Sequence, residues 1–510
     1  MPEAAGTAEP VGTFCLVLHS HLPWLAHHGR WPVGEEWLHQ AWAHSYLPVL
    51  DVVSRLAEEG GRELLTLGVT PVLAAQLDDP YCLRGMHEWL GGWRLRADEA
   101  ASRLPELGAR EHRAADSALE SFESRWRHGA SPLLRGLADA GACELLGGPA
   151  THAFAPLLDP RVRAFALRTG LADATIRLGA TPTGIWAPEC GYAPGMEHGY
   201  AAAGVDRFLV DGPAVRGDTG LARPVGDSGV LAFARDLDVT YRVWSPRAGY
   251  PGGRDYRDFH TFDHPSGLKP ARVTGRTVAP QDKRPYDPAR AAAAVQRDAA
   301  DFVAVVRERL TGLAARHGRP ALTVAAFDTE LFGHWWHEGP AWLEAVLRAL
   351  PEAGVRVTTL RGAVDLGLVG EPVDLPPSSW GSGKDWRVWA GDQVADVVAL
   401  NEGVQKSLLS LPEAGLARDP LRDRLASEAL LALSSDWAFM VSKDSAADYA
   451  RDRALAHAGR VEELTTLLHA GRRNAAEHRS RTWPPTPFGH VDARLLGAAD
   501  PGTVRARGRS

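Results

Sequence analysis

The chain has 510 residues and a formal net charge of −7, from 56 basic and 63 acidic side chains. Hydrophobic residues make up 45% and charged residues 23%, which are globular values and exclude a disordered chain. The acidic balance and the lack of long Lys/Arg runs argue against a nucleic-acid partner. No apolar run reaches the roughly 18 residues of a transmembrane helix, so no membrane partner is expected.

The cysteines point to a reducing compartment. Cys15, Cys82, Cys143 and Cys190 are scattered and form no CxxC pair, a pattern typical of free thiols. The first residues contain two glutamates and no basic residue, unlike a signal peptide. We therefore expect a cytoplasmic protein.

Short apolar runs predict a series of strands that alternate with helices. A helix over 36–59 follows the first strand, and a long helix over 288–316 precedes the last. This alternation predicts an α/β fold with a parallel sheet that closes as a barrel. The predicted strands are 12–18, 63–67, 144–146, 183–186, 207–210, 231–233 and 321–327.

Other stretches differ from this alternating pattern. Residues 81–140 are charged and alanine-rich, which predicts a helical insertion, and 245–290 has the Gly, Pro and Asp content of a long ordered loop. From about 400 to 478 the pattern is helical, with a predicted break near 434–445. The Gly/Arg-rich tail 499–510 is expected to be disordered.

Polar side chains follow several of the predicted strands. In parallel α/β folds such strand ends build the active site. Glu189 and Asp328 both lie among aromatic residues, and two carboxylates walled by tryptophans suit glycoside chemistry, with a separation of about 5–5.5 Å in a retaining enzyme. The simpler alternative is that one carboxylate is a structural ion-pair partner. The residues at the strand ends are His19, His21, Glu189, Asp211, Asp328 and Glu330.

The histidines leave several interpretations open. His19 and His21 at i and i+2 on a strand end point the same way, and with His152 and Asp211 they could bind a metal in a deacetylase-type hydrolase. They could equally contact sugar hydroxyls or be structural. His334, in a Gly-His-Trp-Trp-His run, has the same ambiguity.

Two motifs in the C-terminal part combine tryptophan with polar residues. Trp380, Trp386 and Trp389 surround a glycine-rich turn and form either a sugar platform or a packing cluster; we favour the platform for Trp380. Asp436, in Ser-Asp-Trp, could hold sugar hydroxyls or cap a helix.

These motifs together resemble glycoside hydrolase family 57. The resemblance extends over nearly the whole chain, with the motifs in the family's order. They are His19-Ser-His-Leu-Pro-Trp24, Gly147-Gly148 through His152, Trp186-Ala-Pro-Glu189, Phe327-Asp328-Thr-Glu-Leu-Phe-Gly-His-Trp-Trp336, Ser379-Trp380-Gly and Ser434-Ser-Asp-Trp437.

The resemblance implies an incomplete (β/α)7 barrel over 1–375 with the insertion at 81–140, and a C-terminal α-helical domain over 376–498. It implies a 1,4-α-glucan branching enzyme with an α-1,4-glucan as substrate, without cofactor or catalytic metal. Glu189 would be the nucleophile and Asp328 the general acid/base. The implied substrate-binding positions are His19, His21, His152, Trp186, Asp211, Arg235, Trp244, Gly252, His334, Trp380, Asp436 and Ser445.

The chain departs from the branching pattern in ways that keep a second activity open. Ser445 stands where branching relatives carry glutamine, and no tryptophan lies between Trp389 and Trp437. The loop that follows Asp211 contains no tyrosine, whereas relatives use one there to cover the cleft. An α-1,4-glucan hydrolase or a 4-α-glucanotransferase on the same site is the alternative.

Overall fold

The computed structural model describes residues 9–245, 247–411 and 417–497, which fold into parallel β-sheets flanked by many helices. The predicted α/β class is confirmed. The predicted disordered tail, 499–510, lies outside the described residues. In the described ranges, none of the helices is both long and apolar enough to cross a membrane.

The strands form two sheets, and all seven predicted strands are present with shifted ends. One sheet has the order β3-β2-β1-β8, with β9 also paired to β1, and the other has the order β4-β5-β7-β6. Every pair is parallel except β6 with β7. The short strands β6 and β9 were not predicted. The strands are β1 (Gly12–Ser20), β2 (Leu65–Val69), β3 (Cys143–Leu146), β4 (Gly184–Ile185), β5 (Arg207–Asp211), β6 (Arg223–Pro224), β7 (Leu231–Arg235), β8 (Leu322–Asp328) and β9 (Val355–Thr358).

The two sheets are joined on both sides. A parallel bridge between Gly147 and Ile185 links the end of β3 to β4. On the other side, the Asp236 N–H that follows β7 donates to the carbonyl of Val324 in β8, at 2.8 Å. Every residue of β1 is buried, since both of its faces are covered.

Helices surround the sheets and make up most of the C-terminal part. Five-residue π-helical turns at Trp42–Tyr46 and Phe122–Trp126 adjoin α2 and α5. The α-helices are α1 (Glu35–Ala41), α2 (Leu47–Glu58), α3 (Pro71–Asp78), α4 (Pro80–Ala101), α5 (Pro105–Ser121), α6 (Ala130–Asp139), α7 (Pro160–Leu178), α8 (Met196–Ala202), α9 (Leu237–Trp244), α10 (Pro288–His317), α11 (Gly339–Glu352), α12 (Leu360–Asp365), α13 (Arg387–Ala390), α14 (Ala395–Leu409), α15 (Pro420–Ala432), α16 (Ser435–Lys443), α17 (Ala447–His469) and α18 (Arg473–Ser480).

Four Asp-Pro pairs explain where major helices begin. Asp79, Asp159, Asp287 and Asp419 each precede a proline at the first helical position, and each carboxylate accepts a hydrogen bond from a backbone N–H of the first turn. The aspartate satisfies donors that the helix leaves free, and proline has no N–H to lose. These pairs begin α4, α7, α10 and α15.

Helices α4 to α6 occupy the segment predicted as a helical insertion, and 247–287 is irregular with short 3-10 turns, as expected. The predicted break near 434–445 is wrong for its central part, because α16 occupies it. Ser434 is extended and the Ser435 N–H donates to the carbonyl of His152 at 3.0 Å, so a new helix begins there. It ends at Asp444, whose φ is 51°.

Candidate active site

The sheet register brings the predicted polar residues to one edge. His19 at the end of β1 lies opposite Asp328 at the end of β8, and Asp211 at the end of β5 lies opposite Arg235 at the end of β7. Because these strands are parallel, all four side chains emerge at carboxyl ends.

Glu189 lies in a strained turn after β4 and is held by hydrogen bonds at both carboxylate oxygens. Its φ is 60°, a left-handed conformation that costs a non-glycine residue about 1–3 kcal/mol. The Trp380 indole N–H donates to Oε2 at 2.8 Å, and the Ser435 hydroxyl donates to Oε1 at 2.9 Å. The Trp380 backbone N–H also donates to the Glu189 carbonyl at 2.8 Å. Strain kept in place by this many contacts is typical of a functional residue.

The two carboxyl groups have shifted pKa values with the same main cause. Burial raises the pKa of Glu189 to about 7, although the hydrogen bonds from Trp380 and Ser435 lower it. Burial, with the negative charges of Glu330 and Glu189, raises the pKa of Asp328 well above its usual range. Among the described residues, no hydrogen-bond partner of the Asp328 carboxyl is found. Asp328 is thus the group suited to hold a proton, and Glu189 the one whose charged form is supported by donors.

A chain of hydrogen bonds leads from His19 to Glu189. His19 Nε2 lies 3.1 Å from His152 Nε2, and His152 Nδ1 lies 2.9 Å from Ser435 Oγ. Since the Ser435 hydroxyl donates to Glu189, it accepts from His152 Nδ1–H. The bare Nε2 of His152 then accepts from His19 Nε2–H. Burial lowers the pKa of both histidines well below the usual value, in agreement with two neutral rings.

Tryptophan rings wall this cluster. Trp186 is buried and stacks on His19, with ring centroids 4.2 Å apart and planes 10° apart. Trp380 meets Trp186 edge-on at 4.9 Å. These two indoles form the apolar side of a site whose other groups are polar.

His21 is part of an ion pair. Its Nε2 lies 2.8 Å from Asp436 Oδ2, and its Nδ1 lies 2.9 Å from Thr70 Oγ1. Burial opposes the charge on His21, but Asp436, Glu189 and Glu330 outweigh it and raise the pKa of His21. The pKa of Asp436 is lowered, since His21 outweighs the effect of burial.

A metal site is the alternative interpretation of these histidines, and the geometry bears on it. The side-chain ligand atoms of His21, His152 and Asp436 lie within 4.8 Å of one another. However, both ring nitrogens of His21 contact Asp436 and Thr70, and both ring nitrogens of His152 contact His19 and Ser435, so these nitrogens are already engaged in hydrogen bonds. Asp211 is outside this group. The expectation that catalysis needs no metal stays a prediction.

Asp211 and Arg235 form a buried ion pair beneath Trp380. The Arg235 Nε–H donates to Asp211 Oδ1 at 2.8 Å, and Lys384 Nζ lies 2.7 Å from Asp211 Oδ2. Lys384 also donates to the Trp380 carbonyl at 3.0 Å, and the Arg235 guanidinium lies 5.1 Å from the Trp380 ring centroid. Both cations therefore orient the indole that holds Glu189.

Glu330 is a second buried carboxyl beside Asp328. The Tyr46 hydroxyl donates to it, as does the His21 backbone N–H at 3.0 Å. Tyr46 ends the π-helical turn Trp42–Tyr46, a helix irregularity often found at functional sites. Burial raises the pKa of Glu330 to about 7.

Four positions expected from the resemblance lie apart from this cluster. In the described residues, no hydrogen bond or ring contact joins them to Glu189 or Asp328. Trp244 is 40% exposed at the end of α9, and Ser445 is exposed after α16. Gly252 lies in a 3-10 turn, and His334 packs against Phe259 and Trp335.

Two contacts of the site were not predicted. Ser435 and Lys384 lie inside the motifs, but the sequence gave them no role. Glu330 was expected at the same strand end as Asp328, and its position two residues after Asp328 was the signal for it. Ser435 and Lys384 offered none, since their partners Glu189 and Asp211 lie more than 170 residues away in the chain.

Two carboxyl groups with raised pKa values, the buried Glu189 and the half-buried Asp328, beside tryptophan rings on an α/β scaffold, are typical of an enzyme that cleaves glycosidic bonds. The family comparison agrees: the model of glycosyl hydrolase family 57 matches residues 15–369, and the C-terminal model of 1,4-alpha-glucan branching enzymes matches 399–495. The chain belongs to glycoside hydrolase family 57.

Similar proteins include two branching enzymes. A probable 1,4-alpha-glucan branching enzyme of Mycobacterium tuberculosis is 59% identical, with 96% of this chain and 99% of that protein covered. The 1,4-alpha-glucan branching enzyme of Thermococcus kodakarensis is 32% identical, with 90% and 74% covered.

Solved structures show the same similarity. The family 57 branching enzyme of Pyrococcus horikoshii has a TM-score of 0.88 at 29% identity, with 95% of this chain and 97% of that chain covered. An alpha-amylase of Thermotoga maritima, AmyC, has a TM-score of 0.81 at 26% identity, with 96% and 99% covered.

Proposed function

We propose that this protein is a 1,4-α-glucan branching enzyme that acts by a retaining double displacement. The observation that carries the proposal is the Glu189 carboxylate, which two donors hold in a strained turn near Asp328, whose own pKa burial raises. The 59% identity to a probable branching enzyme supports transfer over hydrolysis as the reaction.

In the first step, Glu189 attacks the anomeric carbon of an α-1,4-linked glucose. Asp328 donates its proton to the glycosidic oxygen, so the leaving chain departs as a neutral alcohol. A covalent glucosyl ester forms on Glu189. The Ser435 and Trp380 donors keep the carboxylate oriented for this attack.

In the second step, the ionised Asp328 takes the proton of an acceptor's 6-hydroxyl. The acceptor oxygen attacks the anomeric carbon, the bond to Glu189 breaks, and an α-1,6 linkage forms. Two inversions give net retention. Water must stay out until the acceptor arrives, and the walls formed by Trp186 and Trp380 serve this purpose.

We further propose a division into the predicted units. The two sheets would form the incomplete (β/α)7 barrel of 1–375, and 376–498 would be the α-helical domain that closes the cleft. Trp380 and Asp436 come from the second unit and reach Glu189 and His21 in the first, which supports this division. All four cysteines are free and buried, in agreement with the proposed cytoplasmic location.

The substrate would contact the residues that line the cleft. We propose His19, His21, His152, Trp186 and Asp436 near the reactive sugar. Asp211 and Arg235 would act through Trp380. Trp244, Gly252, His334 and Ser445 would contact more distant glucose units.

Hydrolysis or disproportionation remains the second candidate because residues 212–222, after Asp211, contain no tyrosine. Proton NMR of amylose incubated with the purified protein separates the candidates. We expect growth of the α-1,6 anomeric signal with few new reducing ends. Reducing ends without an α-1,6 signal would identify a hydrolase, and redistributed α-1,4 chains would identify a 4-α-glucanotransferase.

The pH profile tests the role of Trp380. Glu189 must be ionised to attack, so kcat/KM should rise with pH through about 7, the pKa of the free enzyme's Glu189. Trp380→Phe keeps an aromatic ring but removes the donor that favours the carboxylate. The pKa of Glu189 should then rise, and the acidic limb should move to higher pH.

Trp389→Phe is the matched control. Trp389 follows Trp380 by nine residues and stacks on Phe154, but among the described residues its indole N–H has no hydrogen-bond partner. The acidic limb of the kcat/KM profile of Trp389→Phe should coincide with that of the wild type. An unmoved limb in Trp380→Phe would contradict the role assigned to the indole.

A further inference from the structure

A group of partly exposed aromatic rings includes Trp335, on the turn that follows Asp328, and has no role in the mechanism above. Trp335 and Phe262 are 52% and 43% exposed, although they are large apolar residues. Phe259 joins this group, with its ring centroid 4.5 Å from that of Trp335. We call Trp335, Phe259, Phe262 and the adjacent Lys269 the Trp335 cluster. A contiguous exposed apolar group on a folded protein typically marks a binding surface.

Lys269 gives this surface a polar donor. Its Nζ lies 3.5 Å from the Phe259 ring centroid and 5.5 Å from that of Phe262. Among the described residues it has no hydrogen-bond or ion-pair partner, whereas the neighbouring Arg257 is paired with Glu111 at 2.9 Å. Burial lowers the pKa of Lys269 to about 7, so about half of its amine is uncharged at neutral pH and most of it above neutral pH.

These groups fit a sugar chain. The apolar face of a glucose ring packs on an aromatic ring, and an amine with free hydrogen-bonding capacity binds the hydroxyls at the ring's edge. A charged ligand is not favoured, since the only ionisable group of the cluster has a depressed pKa. A neutral polysaccharide matches both properties.

Trp335 is fixed to the turn that carries Asp328. The Trp335 N–H donates to the carbonyl of Glu330 at 3.2 Å, two residues after Asp328. Gly333 shapes this turn with a φ of 102°, and a Cβ there would lie 1.7 Å from the His44 carbonyl oxygen. Trp335 is therefore bonded to the segment that carries Asp328, whereas Trp380 is bonded to Glu189.

We infer that the Trp335 cluster binds the acceptor α-glucan chain. This inference rests on the proposed function, in which Asp328 takes the proton of an acceptor 6-hydroxyl. In that step the bond between the anomeric carbon and Glu189 breaks, the bond to O6 forms, and the proton moves to Asp328. A chain held on the turn after Asp328 presents its hydroxyl to the correct carboxylate, whereas hydrolysis needs no such platform.

The test compares Trp335→Ala, Trp335→Phe and Lys269→Met with the wild type. The ratio of α-1,6 transfer to hydrolysis on amylose should fall about tenfold in Trp335→Ala, the effect of losing about 1.4 kcal/mol of acceptor binding. Added maltooligosaccharide acceptor at high concentration should restore transfer, because the defect is in acceptor affinity. Trp335→Phe should retain most of the ratio, and Lys269→Met should lower it.

A donor-only reaction controls for general damage. Hydrolysis of α-maltotriosyl fluoride, which needs no acceptor chain, should stay within about twofold of the wild type in each variant. An unchanged transfer ratio in both Trp335→Ala and Lys269→Met would overturn the inference, as would an equal loss of fluoride hydrolysis. A wild type that makes no α-1,6 bonds would instead overturn the proposed function.

Discussion

Glu189→Gly should abolish turnover of amylose, with a loss of about 10⁴-fold or more, the scale seen when a nucleophile is removed. No other described side chain is held as Glu189 is, with one indole and one hydroxyl donor on its two oxygens, so no substitute nucleophile is expected. Glycine suits the position because it accepts the φ of 60° that strains glutamate there. The protein should therefore remain folded, as judged by circular dichroism and cooperative thermal unfolding.

Azide provides a stereochemical readout for the same variant. The anion can enter the space that the carboxylate leaves and attack an α-maltotriosyl fluoride from that side. One displacement gives one inversion, so the product should be a β-glycosyl azide. Glu197→Gln is the matched control: Glu197 is also buried, eight residues further on, and accepts from the Tyr192 hydroxyl at 2.6 Å. It should remain active, and an α-azide from Glu189→Gly would contradict the assignment.

The strands could be predicted because burial leaves a local signal. A strand covered on both faces, such as Gly12–Ser20, is a continuous apolar run, and the polar residue that follows it marks the edge of the sheet. β6 has only two residues, both half-buried, and β9 has four, one of them exposed, so neither has a buried run long enough to detect. α16 was missed because a long-range bond to His152, not local composition, fixes where it begins.

The site could be predicted where its polar residues lie at the ends of strands. His19, Glu189 and Asp328 follow strands and could be identified locally. What could not be predicted is how they are used. The substrate contact expected for Asp211 stays a prediction, but its pairing with Arg235 and Lys384 beneath Trp380 left no sign in the sequence. Such roles depend on which distant segments meet, and one sequence carries no record of those contacts.

Asp328→Asn should separate the two steps of the reaction. The amide has the same shape but cannot donate or take a proton, so turnover of amylose should fall about 10³-fold, within the range known for loss of a general acid/base. Since the Asp328 carboxyl has no hydrogen-bond partner among the described residues, its replacement breaks no contact that supports the fold. The thermal unfolding temperature should stay close to that of the wild type.

An activated donor shows which step has failed. Fluoride leaves without a proton, so α-maltotriosyl fluoride should still react with Glu189 in Asp328→Asn, and the second step should become limiting. Mass spectrometry should then detect a maltotriosyl adduct on the protein. Azide needs no base and should speed release, with an α-glycosyl azide as the product because two inversions have occurred. Loss of activity on amylose and fluoride alike, with no adduct, would show that Asp328 is not the acid/base. The opposite anomers expected from Glu189→Gly and Asp328→Asn assign the two carboxylates independently of any rate.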